Sequence, residues 1–141
     1  MNRKTFTATI KTDFTALEDI GTAVREFLTA AQVGGEAAYK IELALEEMVT
    51  NVIKYGYDVP DDANSVTVTV SLLPDRIVLA IADTGHEFNP LLAAPPDTAG
   101  GLDERPIGGV GIHLTRKMTD AMTYSRHNGR NLLSITVKLT P

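Results

Sequence analysis

The sequence predicts an α+β fold, a two-layer sandwich in which helices pack on one face of a mixed, mostly antiparallel sheet. Hydrophobic periodicity gives the element order strand, helix, helix, strand, strand, long loop, helix, strand, strand. Turn residues at 74–75 and at 128–129 each separate two strand-like runs, which is the pattern of a hairpin. Helices that are segregated from antiparallel strand pairs are typical of an α+β sandwich.

Length and composition predict one globular domain. The chain has 141 residues and no linker that divides two cores, so we expect residues 1–141 to form a single domain. Its formal net charge of -5 disfavours direct binding to nucleic acid. The absence of cysteine excludes disulfides and thiolate metal sites. No apolar run has the length of a signal peptide or a membrane span, so we expect a cytoplasmic protein without membrane contact.

The first half of the chain predicts a strand followed by two helices. Residues 5–10 alternate with period two, and Asp13 then offers an N-cap to a run with apolar residues at helical spacing. The glycine pair at 34–35 is expected to end this helix. A second periodic run over residues 36–55 predicts another helix, which Gly56 closes.

The second half predicts two hairpins and a third helix. Residues 65–73 and 76–82 form the first strand pair, and residues 121–126 and 131–139 form the second. A helix is expected at about 110–119. The last hairpin therefore follows the third helix directly.

A long segment rich in proline and glycine separates the first hairpin from the third helix. It covers residues 84–107 and has no periodicity. A loop of this length inside a compact domain is either a functional lid or a disordered segment. We expect a lid over about residues 86–108.

Three polar residues share one face of the second predicted helix. At about 100° per residue, Glu47, Asn51 and Lys54 lie together, beside an apolar stripe that is expected to face the core. A solvated helix face is the ordinary interpretation of such a polar stripe. The alternative is that these side chains address one ligand site, with Lys54 more simply explained as a surface charge.

A carboxylate stands at the end of the second strand of the first hairpin. Asp83 follows an apolar strand directly, and Gly85 comes two residues later. A carboxylate at the edge of a dry layer can accept a hydrogen bond from the amino group of adenine, and glycine lets the backbone approach a flat base closely. An ordinary Asp-containing turn is the alternative.

A glycine cluster opens the third predicted helix. In the run Gly108-Gly109-Val110-Gly111, backbone N–H groups at the start of a helix can face a phosphate chain. A flexible hinge is the alternative. The run lacks the Gly-Lys-Ser/Thr ending of a Walker A motif and does not follow a strand, which disfavours the two common nucleotide folds with such loops.

The order and spacing of three segments resemble the N, G1 and G2 boxes of the GHKL ATPases, which have the Bergerat fold. The three segments are Glu47-x-x-x-Asn51, Asp83-x-Gly85 and Gly109-x-Gly111. Within that superfamily, residues 46–57 and 82–90 resemble the corresponding boxes of the anti-sigma factor serine kinases. The resemblance covers nearly the whole chain and implies the element order predicted above.

The resemblance implies a role for each motif residue in binding ATP and Mg²⁺. Glu47 would be the general base, Asn51 would coordinate Mg²⁺ and Asp83 would recognise adenine. The remaining residues implied to contact the nucleotide are Gly85, Arg105, Gly108, Gly109, Val110 and Gly111. Arg105 lies in the lid, although its spacing from the glycines departs from the family pattern.

The sequence also departs from the family near the last hairpin. Many GHKL proteins have a phosphate-binding threonine there, whereas this chain has Gly129-Arg130-Asn131, to which we assign no role. The three histidines lie in unrelated segments without metal-ligand spacing, so we expect them to be surface or packing residues.

The resemblance implies a protein serine kinase that also acts as an anti-sigma regulator. Its partners would be an anti-anti-sigma factor of the STAS fold, which receives the phosphate, and a sigma factor, which is sequestered; a homodimer is also possible. The alternative function is an ATP-responsive module that binds partners without significant phosphotransfer. The presence of Glu47 favours the kinase.

Overall fold

The computed structural model describes residues 3–59, 61, 63–92 and 109–139. Within these residues, three helices, five strands and one short 3-10 turn form in the order that the periodicity predicts, with the turn as an addition. Their bounds are β1 Lys4–Lys11, α1 Phe14–Ala30, α2 Gly35–Tyr55, β2 Ser65–Leu72, β3 Arg76–Asp83, the 3-10 turn Pro90–Leu92, α3 Gly109–Met118, β4 Ala121–His127 and β5 Arg130–Lys138.

The five strands form one sheet in the order β1-β2-β3-β5-β4. Each neighbouring pair is antiparallel, so the sheet in the described part of the chain is antiparallel throughout and not mixed. The central pair, β3 and β5, joins the two predicted hairpins. Its register places Asp83 directly opposite Asn131. The predicted α+β sandwich is confirmed.

The hydrophobic core lies between the helices and one face of the sheet. Alternate residues of β2, β3 and β5 are buried, as the period of a strand requires when only one face is covered. The buried apolar residues of the helices are Leu17, Ile20, Val24, Leu28, Ile41, Ala44, Leu45, Met48, Val49 and Ile112. Among the described helices, none is long and apolar enough to cross a bilayer.

The connection between α1 and α2 differs from the prediction. Asp13 caps α1 as expected, since its Oδ1 accepts a 2.7 Å hydrogen bond from the backbone N–H of Ala16. The helix then ends at Ala30, before the glycines, and Gln32 takes the left-handed conformation with φ of 61°. Gly34 is the N-cap of α2. The prediction that the glycine pair ends α1 is therefore wrong.

The first residues of the predicted lid pack against the core. Phe88 contacts the core cluster and Pro90 is buried at the start of the 3-10 turn. This turn lies next to β4. Most of the predicted lid, residues 93–108, lies outside the described residues.

Candidate functional site

A cavity of about 240 Å³ opens between α2 and the strands β3, β4 and β5. Residues 86–90 cover one side of it. The residues that line it are Met48, Asn51, Val52, Tyr55, Gly56, Ile81, Asp83, His86, Glu87, Phe88, Pro90, Tyr124, Asn131 and Leu133. Mostly apolar walls with a few convergent polar groups are characteristic of a small-molecule site. The cavity contains two of the predicted site residues, Asn51 and Asp83.

Asp83 lies at the end of β3 with its side chain 7% exposed. Its Oδ1 atom accepts two hydrogen bonds, one of 2.8 Å from the backbone N–H of Gly85 and one of 3.0 Å from Nδ2 of Asn131. Among the described residues, no hydrogen bond engages Oδ2. One oxygen of the carboxylate is therefore fixed by the protein, and the other is available to a ligand in the cavity.

Asn131 is the site residue that sequence reasoning missed. Its side chain is 6% exposed and lies opposite Asp83 in the β3–β5 ladder. Besides its bond to Asp83, Nδ2 donates a 2.7 Å hydrogen bond to the carbonyl oxygen of His86. Its Oδ1 accepts from the hydroxyl of Tyr124 and, at 3.0 Å, from Nη1 of Arg126. The carboxamide is thus fully hydrogen-bonded.

Two glycines meet where the end of α2 crosses the turn after β3. The backbone N–H of His86 donates a 2.8 Å hydrogen bond to the carbonyl oxygen of Gly56, which is the C-cap of α2. A Cβ atom at position 85 would overlap that carbonyl group. Gly85 is therefore required for the close backbone approach that holds the Asp83 turn against α2. The sequence motif predicted closeness to a base, whereas the structure shows closeness to Gly56.

Replacing Gly85 with alanine is expected to lower the free energy of unfolding by about 2 kcal/mol or more, because the methyl group can be accommodated only by moving backbone. Chemical denaturation followed by circular dichroism would measure the loss. Gly21→Ala is the matched control, since a Cβ atom at position 21 of α1 meets no neighbour and alanine favours a helix. Equal stability of the Gly85 variant and the wild type would show that this crossing is not rigid.

Asn51 and Glu47 project from successive turns of α2 towards different parts of the site. Asn51 is 8% exposed and lines the cavity, and the described residues offer no hydrogen-bond partner to its buried Nδ2. Glu47 is only partly buried and reaches the first turn of α3, where its carboxylate occupies the space that a Cβ atom at Gly111 would fill. Lys54 is exposed, as expected for a surface charge. The structure thus brings two of the three sequence segments into contact at Gly111.

The predicted glycine cluster lies at the start of α3. The helix begins at Gly109 and includes Val110 and Gly111 in its first turn, with Ile112 fully buried as an anchor. The first N–H groups of a helix have no partner within the helix and favour a bound anion. Two predicted nucleotide contacts, Gly108 and Arg105, lie outside the described residues.

One of the three histidines lines the cavity. His86 forms a 2.9 Å pair between Nε2 and Oδ1 of Asp58 at the rim of the cavity. Within the described ranges, no group of three histidine, aspartate or glutamate side chains could hold a metal ion.

The fold and this cavity define the class of protein: a two-layer α+β domain with a cavity between α2 and the central strands of the sheet. Residues 10–137 match the family model of the histidine kinase-like ATPase domain. The match includes α2, the Asp83 turn, α3 and Asn131. The chain belongs to the histidine kinase-like ATPase domain family, which confirms the resemblance to GHKL ATPases.

Two curated relatives are similar over about 100 residues. The chain is 28% identical to the serine/threonine-protein kinase BtrW of Bordetella bronchiseptica over 103 residues, which cover 73% of this chain and 72% of that protein. It is 25% identical to the serine-protein kinase RsbW of Staphylococcus aureus over 103 residues, or 70% of this chain and 62% of RsbW. The similarity to RsbW thus spans less than two thirds of that relative.

Solved structures with low sequence identity share the fold. The RsbU and RsbW domains of a Mycobacterium tuberculosis protein superpose with a TM-score of 0.70 at 15% identity, covering 98% of this chain and 33% of that one. The SiaB–SiaC complex of Pseudomonas aeruginosa gives a TM-score of 0.61 at 17% identity, covering 95% and 89%. Both likenesses concern the fold alone.

Proposed function

We propose that the protein is an ATP-dependent serine kinase that phosphorylates a STAS-type anti-anti-sigma partner and sequesters a sigma factor. The observation that carries the proposal is the placement of two side chains on α2: Asn51 lines the cavity that also contains the buried Asp83, and one turn earlier Glu47 lies against the first turn of α3. The names of the two relatives, one a serine/threonine-protein kinase and the other a serine-protein kinase, support the reaction. The expected compartment is the cytoplasm.

The cavity supplies a place for the adenine base. Its walls are mostly apolar, which suits a flat aromatic ring, and Oδ2 of Asp83 can accept a hydrogen bond from the amino group. A 6-oxo purine presents an acceptor at the same position and would face a carboxylate that can only accept. The site is therefore expected to prefer adenine over guanine.

The first turn of α3 and Asn51 suit the phosphate chain and Mg²⁺. Mg²⁺ prefers oxygen ligands and keeps several waters, so the carboxamide oxygen of Asn51, which lines the cavity, and phosphate oxygens suit it, whereas the described residues offer no cluster of carboxylates. Bound Mg²⁺ would neutralise charge that develops on the phosphates. The N–H groups that begin α3 would hold the phosphate oxygens in place.

Glu47 is proposed to be the general base. Its carboxylate lies beside the start of α3, where the phosphate chain would end, so an incoming serine hydroxyl could donate its proton to it. Phosphoryl transfer otherwise depends mainly on positioning and charge neutralisation. Arg105, which belongs to the predicted lid over about residues 86–108, would contact the phosphates.

Transfer of labelled phosphate tests the proposal. The purified protein is incubated with γ-labelled ATP, Mg²⁺ and a STAS-domain protein, and the partner is analysed for phosphoserine. Label on one serine, lost when that serine becomes alanine, is the expected result. Nucleotide binding without transfer to any STAS protein of the same genome would instead favour the regulatory binding module. Failure to bind ATP would refute both functions.

Mg²⁺ is expected to raise the ATP affinity of the wild type roughly tenfold. Replacing Asn51 with alanine should remove this gain, because the side chain proposed to bind the metal is lost. Calorimetric titration with a non-hydrolysable ATP analogue, with and without Mg²⁺, measures this gain. Lys54→Ala is the matched control, an exposed position one turn further along α2. A gain that persists in the Asn51 variant would exclude Asn51 as a metal ligand.

A further inference from the structure

We propose that Asn131 is a positioning residue of the nucleotide site, because it holds Asp83 so that one carboxylate oxygen faces the base. Hydrogen bonds from Tyr124 and Arg126 in turn fix the orientation of the Asn131 carboxamide. This inference rests on the proposed binding of adenine to Asp83. It concerns three residues of the last hairpin that the sequence motifs do not include.

The hydrogen bonds of Asn131 fix which end of its carboxamide faces Asp83. An arginine side chain has donors only, so the atom 3.0 Å from Nη1 of Arg126 must be the acceptor, Oδ1. The other atom, Nδ2, then lies 3.0 Å from Oδ1 of Asp83 and 2.7 Å from the carbonyl oxygen of His86, both of which are acceptors. A flipped carboxamide would oppose like groups at Arg126, Asp83 and His86.

A closed ring of hydrogen bonds connects the Asp83 turn to the last hairpin. Gly85 donates to Asp83, Asn131 donates to the same oxygen, and Arg126 donates both to Asn131 and, at 2.9 Å, to the carbonyl oxygen of Gly85. Tyr124 adds a second donor to Asn131. Buried polar groups that are fully satisfied in this way are rigid, because any rotation leaves a partner unpaired.

This ring of hydrogen bonds determines which carboxylate oxygen of Asp83 is available to the ligand. Both donors that the described residues provide engage Oδ1, so Oδ2 of this cavity-lining residue keeps its lone pairs for a ligand. Without Asn131, the carboxylate could rotate and divide its two oxygens between Gly85 and the base. Asn131 would thus raise ATP affinity without itself contacting the amino group.

The test compares ATP with purine riboside triphosphate, which lacks the 6-amino group, in binding titrations. Asn131→Ala is expected to lower ATP affinity roughly tenfold but to change the affinity for the analogue little, so that discrimination between the two falls. Asn131→Asp keeps the shape but opposes a second carboxylate to Asp83, and the expected loss of ATP affinity is roughly a hundredfold. Equal losses for both nucleotides would refute the positioning role.

A milder variant keeps the inference testable if the Asn131 variants fail to fold. Tyr124→Phe removes one hydroxyl that bonds to Asn131 and is expected to lower discrimination about twofold to fivefold with its melting temperature near that of the wild type. Ser125→Ala is the matched control, because this exposed residue lies between the two locking residues on the opposite face of β4. Unchanged discrimination between ATP and the analogue in the Tyr124 variant would show that the hydrogen bond from Tyr124 to Asn131 does not affect the nucleotide site.

The failure of this inference can be distinguished from failure of the proposed function. If the wild-type protein does not bind ATP, the proposed function itself falls. If Asp83 variants bind ATP normally, the adenine contact at Asp83 is wrong, and this inference falls with it. If Asp83→Asn lowers ATP affinity but Asn131→Ala does not, only the positioning role is wrong. Adding Asn131→Ala to Asp83→Asn should cause little further loss, because the two residues act through one hydrogen bond to the base.

Discussion

Replacing Glu47 with glutamine is expected to lower the rate of phosphotransfer roughly a thousandfold while ATP affinity stays within about twofold of the wild type. Glutamine has nearly the shape of glutamate, so it can fill the same space beside Gly111. It cannot accept the proton of a serine hydroxyl. The effect should therefore appear in the chemical step and not in binding. Single-turnover transfer of labelled phosphate, together with nucleotide titration, separates the two quantities.

The neighbouring residue provides a matched control for this prediction. Glu46 is exposed and lines a separate groove between α1 and α2, so Glu46→Gln removes the same charge from the same helix but away from the cavity. Its transfer rate should equal that of the wild type. If Glu47→Gln instead abolishes ATP binding, Glu47 holds α3 in place through its contact near Gly111, and the role of general base is wrong.

Local patterns in the sequence were sufficient to predict the elements of this fold. The spacing of apolar residues predicted α2 within one residue at its start, and the side-chain oxygen of Asp13 caps α1 as expected. The pattern was less informative about the connection after α1. A glycine can end one helix or precede the next, and here the left-handed residue is Gln32, which no propensity singles out.

Two contacts of the site could not be predicted from the sequence, and both for the same physical reason. Asn131 meets Asp83 because β5 pairs with β3, although a helix and a long loop separate these strands in the chain. Hairpin signals fix the register of consecutive strands only, so the partner of Asp83 could not be deduced from them. The same holds for the crossing of Gly56 and Gly85, since two distant backbone segments create it. Residues 47, 51 and 83 were informative only in combination, because each pattern alone also fits a solvated helix face or an ordinary turn, whereas their order and spacing resemble a known set of motifs.

Replacing Asp83 with asparagine is expected to lower ATP affinity roughly a hundredfold. The reason lies in the two N–H donors, from Gly85 and Asn131, which both engage Oδ1. The carboxamide oxygen of the variant would have to occupy that position, so its NH₂ group would replace Oδ2 and face the amino group of adenine. Two donors would then oppose each other in the cavity. Titration with an ATP analogue measures the loss, and Asp75→Asn, in an exposed turn at the other end of β3, is the control.

The same geometry predicts a change of base preference in the Asp83 variant. Inosine triphosphate carries a carbonyl oxygen in place of the amino group, and the new NH₂ group at position 83 could donate to it. The affinity ratio of ATP to inosine triphosphate should therefore fall by a larger factor than the ATP affinity itself, because the affinity for inosine triphosphate should rise. Weak binding of both nucleotides with the ratio unchanged would mean that the substitution disturbs the hydrogen-bonded ring and not the contact with the base. Unchanged ATP affinity would mean that adenine does not bind at Asp83, and the cavity would then need another ligand.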